Sequence, residues 1–240
     1  MNFNKRSFAV LVFATALAAG SASATCSDAT VTGVWGYIVG AAVGQFTADG
    51  KGNITKGSQT VSNNGTIETQ TFTGTYSVSA NCTGSLTSNV KGGGSASLNF
   101  VLDDTNKGAQ IILDESGKVA SGFGLALGTV TCGLSGKKET FAADIFGKIS
   151  GSEIVAYVAQ VILDGKGNVS GSGTFDVNGT IDTTTITGTY TLSANCTGTA
   201  KITPSGGNPL NFNFVVVNGG KEILLIETDT GTVVGGYMQQ

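Results

Sequence analysis

Apolar and polar residues alternate along much of the chain with a period of two. The clearest run begins at Phe72, and an equivalent run begins at Ile186. Such alternation is typical of a strand with one buried and one solvated face. The face predicted to be buried carries Phe72, Gly74, Tyr76, Val78 and Ala80 in the first run, and Ile186, Gly188, Tyr190, Leu192 and Ala194 in the second.

Turn signals rich in Gly and Asn separate these runs and divide the first half of the chain into eight predicted strands. Beyond the N-terminal segment, no stretch has a sustained helical period. The predicted strands are Val34–Val39, Val43–Ala48, Ile54–Ser62, Thr66–Ala80, Ser85–Val90, Ala96–Asp103, Gln110–Leu113 and Val119–Leu127.

The second half of the chain repeats the first. The motif Asp-Gly-Lys-Gly-Asn occurs at 49–53 and 164–168, Thr-Gly-Thr-Tyr at 73–76 and 187–190, and Ser-Ala-Asn-Cys-Thr-Gly at 79–84 and 193–198. The offset is 115 residues for the first motif and 114 for the other two. A unit of this length is large enough to bury its own core, so the repeat predicts two tandem domains, 25–127 and 128–240.

Eight short strands joined by tight turns leave exposed sheet edges unless the sheet closes. An up-and-down barrel removes the edges, whereas a Greek-key sandwich usually needs longer connections. The sequence therefore predicts an all-β protein of two tandem antiparallel domains with about eight strands each. Up-and-down β-barrels are favoured over β-sandwiches.

The first residues have the three parts of a secretory signal peptide. Lys5 and Arg6 form the basic start, the segment from Phe8 to Ala19 is apolar or small apart from one Thr, and Ala22-Ser23-Ala24 supplies a cleavage site. About a dozen apolar residues fall short of the ~20 that span a bilayer. We predict a signal peptide at 1–24, a secreted or periplasmic mature protein, and no membrane span in the mature chain.

The composition excludes several kinds of catalytic and binding site. The chain has no His, so Ser-His-Asp triads, Cys-His dyads and His metal ligands are excluded. Cleavage after Ala24 removes Lys5 and Arg6, the only Arg, and leaves 11 basic against 16 acidic residues. A negative chain without Arg lacks the bidentate clamp used on phosphates and bases. We therefore predict no enzyme, no cofactor, no metal and no nucleic-acid partner.

Four cysteines in an exported protein favour disulfides. Each repeat has one Cys near its start and one in its Asn-Cys-Thr-Gly turn. The repeat therefore selects Cys26–Cys82 and Cys132–Cys196 among the three possible pairings.

A set of aromatic residues is predicted to point into the barrels, where it either packs a core or lines a ligand cavity. The set comprises Phe46, Phe72, Tyr76, Phe100 and Phe123 in the first repeat, and Tyr190, Phe212, Phe214 and Tyr237 in the second.

Two other features could suggest a metal site or an active site, but each has a structural interpretation. The Asp-Gly-Lys-Gly-Asn motifs are expected to be hairpin turns rather than calcium loops. The carboxylates at 103–104, 114–115, 222, 227 and 229 are expected to be solvated groups at strand ends rather than a glycosidase pair.

The repeated DGKGN, GTY and NCTG motifs resemble those of a group of uncharacterised exported β-rich bacterial proteins. The strand count and the Gly-Thr-Tyr strand also loosely resemble eight-stranded lipocalin and allene-oxide-cyclase-like barrels. These resemblances imply a fold, and no functional residue follows from them.

The leading hypothesis is a secreted binding protein that holds a small apolar ligand in a barrel lumen. The alternative is a structural or adhesive cell-envelope protein whose Thr-rich outer faces contact a surface polysaccharide. A hydrolase is a distant third, because nothing in the sequence predicts a carboxyl with a raised pKa.

Overall fold

The structure is a computed structural model that describes residues 25–105, 107–128, 132–134, 136–149 and 152–240. The predicted signal peptide lies outside these residues. Within the described ranges, no helix is both long enough and apolar enough to cross a membrane.

The described residues contain sixteen strands that form two closed barrels, each with eight antiparallel strands in sequential order. The first barrel contains β1 (Thr32–Val39), β2 (Ala42–Asp49), β3 (Asn53–Asn63), β4 (Thr66–Val78), β5 (Thr83–Val90), β6 (Ser95–Leu102), β7 (Gly108–Leu113) and β8 (Ser121–Ala126). The second contains β9 (Glu139–Ile149), β10 (Glu153–Leu163), β11 (Asn168–Val177), β12 (Thr180–Leu192), β13 (Thr197–Pro204), β14 (Leu210–Val217), β15 (Glu222–Glu227) and β16 (Val233–Gln239). Short 3₁₀ turns lie at Asp28–Thr30 and Asn218–Gly220. The predicted fold class is confirmed.

The connections are tight because the sequence provides residues that accept positive φ. Asn64 and Gly65, which join β3 to β4, have φ values of 50° and 86°. Asn178 and Gly179 repeat this between β11 and β12, with φ values of 52° and 83°. Two consecutive positive φ values characterise the turn whose twist matches that of the flanking strands. Because consecutive strands are antiparallel, alternate connections gather at opposite ends of each barrel.

The N-terminal segment covers one end of the first barrel. Cys26 is joined to Cys82 by a disulfide, and the second barrel has the equivalent Cys132–Cys196 bond, as the repeat predicts. The Tyr76 hydroxyl lies 3.0 Å from the carbonyl oxygens of both Asp28 and Val31. Disulfides persist in oxidising compartments, so the two bonds indicate an extracytoplasmic protein.

The barrels pack side by side through an apolar interface. Its buried members are Val43 of the first barrel and Val215, Val217, Leu224 and Ile226 of the second. Around this interface, the amide of Asn213 donates to the Thr60 hydroxyl at 2.9 Å, and the backbone N–H of Gly231 donates to Gly65 O at 2.9 Å.

Two residues that the sequence predicts inside the lumens lie at this interface instead. Phe123 pairs with Ile38 and Gln110 on the outer side of its strand, and its ring meets that of Tyr237 at 5.7 Å between centroids. The inward positions of the two strands belong to other residues, including Gly124 and Met238. The prediction failed because a covered outer wall is as apolar as a lumen, so an aromatic residue on such a strand does not identify the inward face.

Candidate functional site

The first barrel encloses a cavity of about 630 Å³. Its deep end is lined by Val31, which is buried under the N-terminal segment. Its other end reaches the connections β3–β4, β5–β6 and β7–β8, where Asn64, Gly94 and Val119 are exposed. We call this second end the mouth. Val233 of the second barrel also lines the cavity, so the neighbouring barrel contributes to its wall.

The second barrel has the same strand number but a cavity of only about 70 Å³. The sheet register shows why. Ala42 pairs with Val61 across β2–β3, and the equivalent positions of β10–β11 hold Tyr157 and Phe175, whose ring centroids lie 4.6 Å apart. Further small residues of the first lumen are likewise matched by larger ones, in the pairs Ser88 and Ile202, Ala96 and Leu210, Ala109 and Ile223, and Gly124 and Met238. At these inward positions the smaller side chains of the first barrel leave space that larger side chains fill in the second.

A row of polar side chains crosses one wall of the hollow barrel. In the register, Tyr37 pairs with Gly44, Gly44 with Gln59, and Gln59 with Gln70. The Tyr37 hydroxyl donates to Gln59 Oε1 at 2.5 Å, Gln59 Nε2 donates to Gln70 Oε1 at 2.7 Å, and Gln70 Nε2 donates to Glu68 Oε2 at 2.9 Å. We call these four residues the polar track. It runs from buried Tyr37 to exposed Glu68 at the mouth.

The opposite wall, formed by β5–β8, is largely apolar. Its lining side chains include Leu86, Val90, Leu98, Ile111 and Leu113. The lumen is thus two-sided, with a connected row of hydrogen-bonding side chains on the β1–β4 wall and mainly hydrocarbon on the other, where Ser88 and Ser95 add hydroxyl groups. Burial of the phenol within this lumen raises the pKa of Tyr37 well above its usual range, so its hydroxyl is neutral and can act as a donor.

Another polar group lines the lumen nearer its deep end. Trp35 is buried at 2% exposure, and its indole Nε1 has no hydrogen-bond partner among the described residues. A buried donor without an acceptor costs about 1–3 kcal/mol, so an incoming acceptor would be stabilising there. Among the described lining residues only Glu115 and Lys118 carry charge, and they pair with each other at 2.6 Å at the mouth.

The structure separates the residues that the sequence predicts as lumen-lining. Four of them line the hollow lumen and three face the filled interior, while Phe123 and Tyr237 lie between the barrels. The first group is Phe46, Phe72, Tyr76 and Phe100, and the second is Tyr190, Phe212 and Phe214. Trp35 and the polar track are not among the residues that the sequence predicts in the lumen. The inward alternation of Tyr37, Gln59 and Gln70 carries that signal, but the strand pairing is needed to bring the three together.

The Asp-Gly-Lys-Gly-Asn motifs form self-contained turns. Asp49 Oδ1 accepts from the backbone N–H groups of Lys51 and Asn53, and Oδ2 accepts from the Asn53 side chain. The equivalent bonds, led by the Asn168 side chain, lower the pKa of Asp164 to about 2. Both carboxylate oxygens therefore serve the turn itself.

One carboxyl of the second barrel is buried. Glu227 is 2% exposed, faces the interior opposite Phe212, and has an Oε2 atom without a hydrogen-bond partner among the described residues. Burial, with a smaller contribution from Asp229, raises its pKa to about 7. The prediction that this carboxylate is a solvated strand-end group is therefore wrong.

No family model matches the chain, and no curated protein matches it either. Among solved structures it is similar to isotype 1 transferrin binding protein B from serogroup B Neisseria meningitidis, with 9% sequence identity and a TM-score of 0.32. The alignment covers 83% of this chain and 66% of that one. A likeness this remote carries neither fold nor function, so the two barrels are established by the register of this chain.

Proposed function

We propose that the chain is a non-catalytic binding protein whose first barrel holds one small, largely apolar molecule. The observation that carries this is the contrast between two equivalent barrels, with cavities of about 630 and 70 Å³. Ligand pockets commonly occupy about 300–1,000 Å³ and are mainly apolar with a few placed polar groups. The first lumen has this size and this lining, whereas the second is a packed core.

The second barrel supports the first in this proposal. Its wall residues Val215, Val217 and Leu224 are at most 3% exposed against the neighbouring barrel. A hollow barrel forgoes the interior contacts that stabilise a filled one. Packing one of its walls against a filled barrel offsets part of that loss.

The test introduces the larger side chains of the second barrel into the lumen of the first. The neutral apolar dye N-phenylnaphthylamine is titrated into wild type and into the Ala42→Tyr/Val61→Phe double variant, and its fluorescence is followed. We expect one dye per wild-type chain and no saturable binding to the double variant. A second filled variant, Ala96→Leu/Ala109→Ile, acts from other strands and should also lose the dye.

A matched control carries the same added bulk outside the barrel. Thr69 and Val101 are exposed, and the Thr69→Tyr/Val101→Phe variant should bind as wild type does. Circular dichroism checks that each variant is folded. If wild type does not bind the dye, or if both folded, filled variants bind it equally well, the lumen is not a ligand site.

A second candidate function, surface adhesion, is favoured by one feature of the filled barrel. Five threonines at alternate positions of β12 are all exposed on its outer face, namely Thr183, Thr185, Thr187, Thr189 and Thr191. They form a regular array of hydroxyls with a repeat of about 6.7 Å along the strand. Sedimentation with insoluble cellulose or chitin tests this candidate. Thr187→Lys/Thr189→Lys should abolish co-sedimentation, and failure of wild type to co-sediment would remove it.

A further inference from the structure

The hollow lumen selects the chemistry of its occupant, and this inference rests on the function proposed above. The geometry points to an uncharged amphiphile, a largely apolar molecule with hydroxyl or carbonyl groups along one edge. That edge lies against the polar track, and the hydrocarbon lies against the β5–β8 wall.

The polar track leaves some of its hydrogen-bond donors and acceptors unused. A Gln amide has two donor hydrogens and two acceptor lone pairs, and a phenol oxygen accepts as well as donates. The internal chain of bonds uses one donor from each of Tyr37, Gln59 and Gln70. Each amide therefore keeps an N–H, and the Tyr37 oxygen keeps an acceptor site. Hydroxyl and carbonyl groups complement these positions.

The described lining of the lumen offers no free charge to an ionic ligand below its mouth. The lining residues below the mouth are neutral, and Lys118, the one described cation in the lining, is paired with Glu115 at the mouth. A carboxylate or ammonium group held below the mouth, away from Glu68, Glu115 and Lys118, would lose its hydration without gaining an ionic partner, which costs several kcal/mol. The lumen therefore discriminates against ions and favours neutral polar groups.

The described residues of the filled barrel contain no equivalent of the polar track. By register, the positions of Tyr37, Gln59 and Gln70 are taken there by Ala143, Gly173 and Thr184. The fold therefore does not need the polar track, since an equivalent barrel forms without it. The track accompanies the cavity, as expected of groups that recognise a ligand.

The deep end of the lumen provides one further hydrogen-bond donor. Trp35 Nε1 is a buried donor without a partner, and Trp35 lies two residues further from the β1–β2 turn than Tyr37. An acceptor on the leading end of the ligand would satisfy this donor. Trp35 is also the only tryptophan of the chain, so its fluorescence reports on occupancy of the lumen.

The experiment compares alcohols with carboxylates of the same carbon skeleton at neutral pH. Decanol and decanoate, 2-naphthalenemethanol and 2-naphthoate, and retinol and retinoate are titrated against full-length mature protein while Trp35 fluorescence is followed. We expect at least one alcohol to bind at least about tenfold more tightly than its carboxylate. In Gln59→Leu/Gln70→Leu this preference should fall to about threefold or less, while binding of N-phenylnaphthylamine is retained.

Thr69→Leu/Thr71→Leu is the control, because both residues flank Gln70 on the exposed outer face of β4. It should keep the preference of wild type. If the carboxylates bind as tightly as the alcohols, if none of the six compounds binds, or if the preference survives in Gln59→Leu/Gln70→Leu, the inference is overturned. Since dye binding is measured in parallel, failure of the ligand class remains distinguishable from failure of the lumen as a binding site.

Discussion

Replacement of Glu227 should change how the stability of the protein depends on pH. The folded-state pKa of Glu227 is raised to about 7 from an ordinary value of 4.5, chiefly because the carboxyl is buried. Its contribution to stability is therefore fully present below about pH 4.5 and is lost as the pH rises through about 7. Each pKa unit corresponds to about 1.4 kcal/mol, so the loss above pH 7 reaches about 3 kcal/mol at most.

Glu227→Gln removes this titration and keeps the shape of the side chain. We expect the free energy of unfolding of the variant, relative to wild type, to rise by about 2–3 kcal/mol between about pH 4.5 and pH 8. Urea denaturation followed by far-ultraviolet circular dichroism across this range measures the difference. Glu227→Leu copies Leu113, the equivalent residue of the first barrel, and should show the same trend.

Asp144→Asn is the matched control, since Asp144 is an exposed carboxylate on β9 of the same barrel. This variant shows whether the trend belongs to the buried carboxyl or follows the loss of any carboxylate of the barrel. The expectation is refuted if the difference between wild type and Glu227→Gln is constant with pH within about 0.5 kcal/mol. That result would mean that Glu227 is solvated or paired in the folded protein.

Three further predictions test the scaffold. Replacing Cys26 and Cys82 together by Ser should lower the free energy of unfolding by about 4 kcal/mol, measured against wild type with and without reductant, and an unchanged value would contradict the role of the bond. Gly84→Ala should cost about 1–3 kcal/mol because its Cβ would overlap the ring of Phe100 and the backbone oxygen of Ser77, and a neutral result in thermal denaturation would show that the ring and the neighbouring strand both move away. Leu224→Ala should cost about 2–5 kcal/mol by weakening the interface between the barrels. The unfolding transition followed by Trp fluorescence, which reports on the first barrel, should then separate from the transition followed by circular dichroism. Coincident transitions would argue that this interface does not couple the unfolding of the two barrels.

The strands could be predicted from the sequence because the alternation of period two is undisturbed where one face is wet. The predicted segment Thr66–Ala80 is β4 (Thr66–Val78) with two extra residues. Phe123 was misplaced because its strand is apolar on both faces, inside the lumen and against the second barrel. Alternation alone does not indicate which of two apolar faces points inward.

Even the small change in repeat offset has a structural cause. The register of β3 with β4 shifts between Ile54 and Gly57, whereas β11 pairs with β12 without interruption from Val169 to Gly171. The first repeat therefore has one more residue between its Asp-Gly-Lys-Gly-Asn turn and its Thr-Gly-Thr-Tyr strand, which is the difference between 115 and 114. This β-bulge sits two residues before Gln59, so it sets which face of β3 the polar track occupies.

The hollow lumen was beyond sequence reasoning for a related reason. Whether a barrel is filled depends on the residues that meet across it, and the bulge must be placed before Val61 aligns with Phe175 rather than with a neighbour. Once aligned, Ala42 and Val61 of the hollow barrel stand where the filled barrel has Tyr157 and Phe175. At these two positions the second repeat has large side chains that pack its interior, whereas the first repeat has small ones beside its polar track. Because the two share strand number, turns and disulfide positions, the difference between a hollow and a filled interior resides in a few inward side chains rather than in the fold.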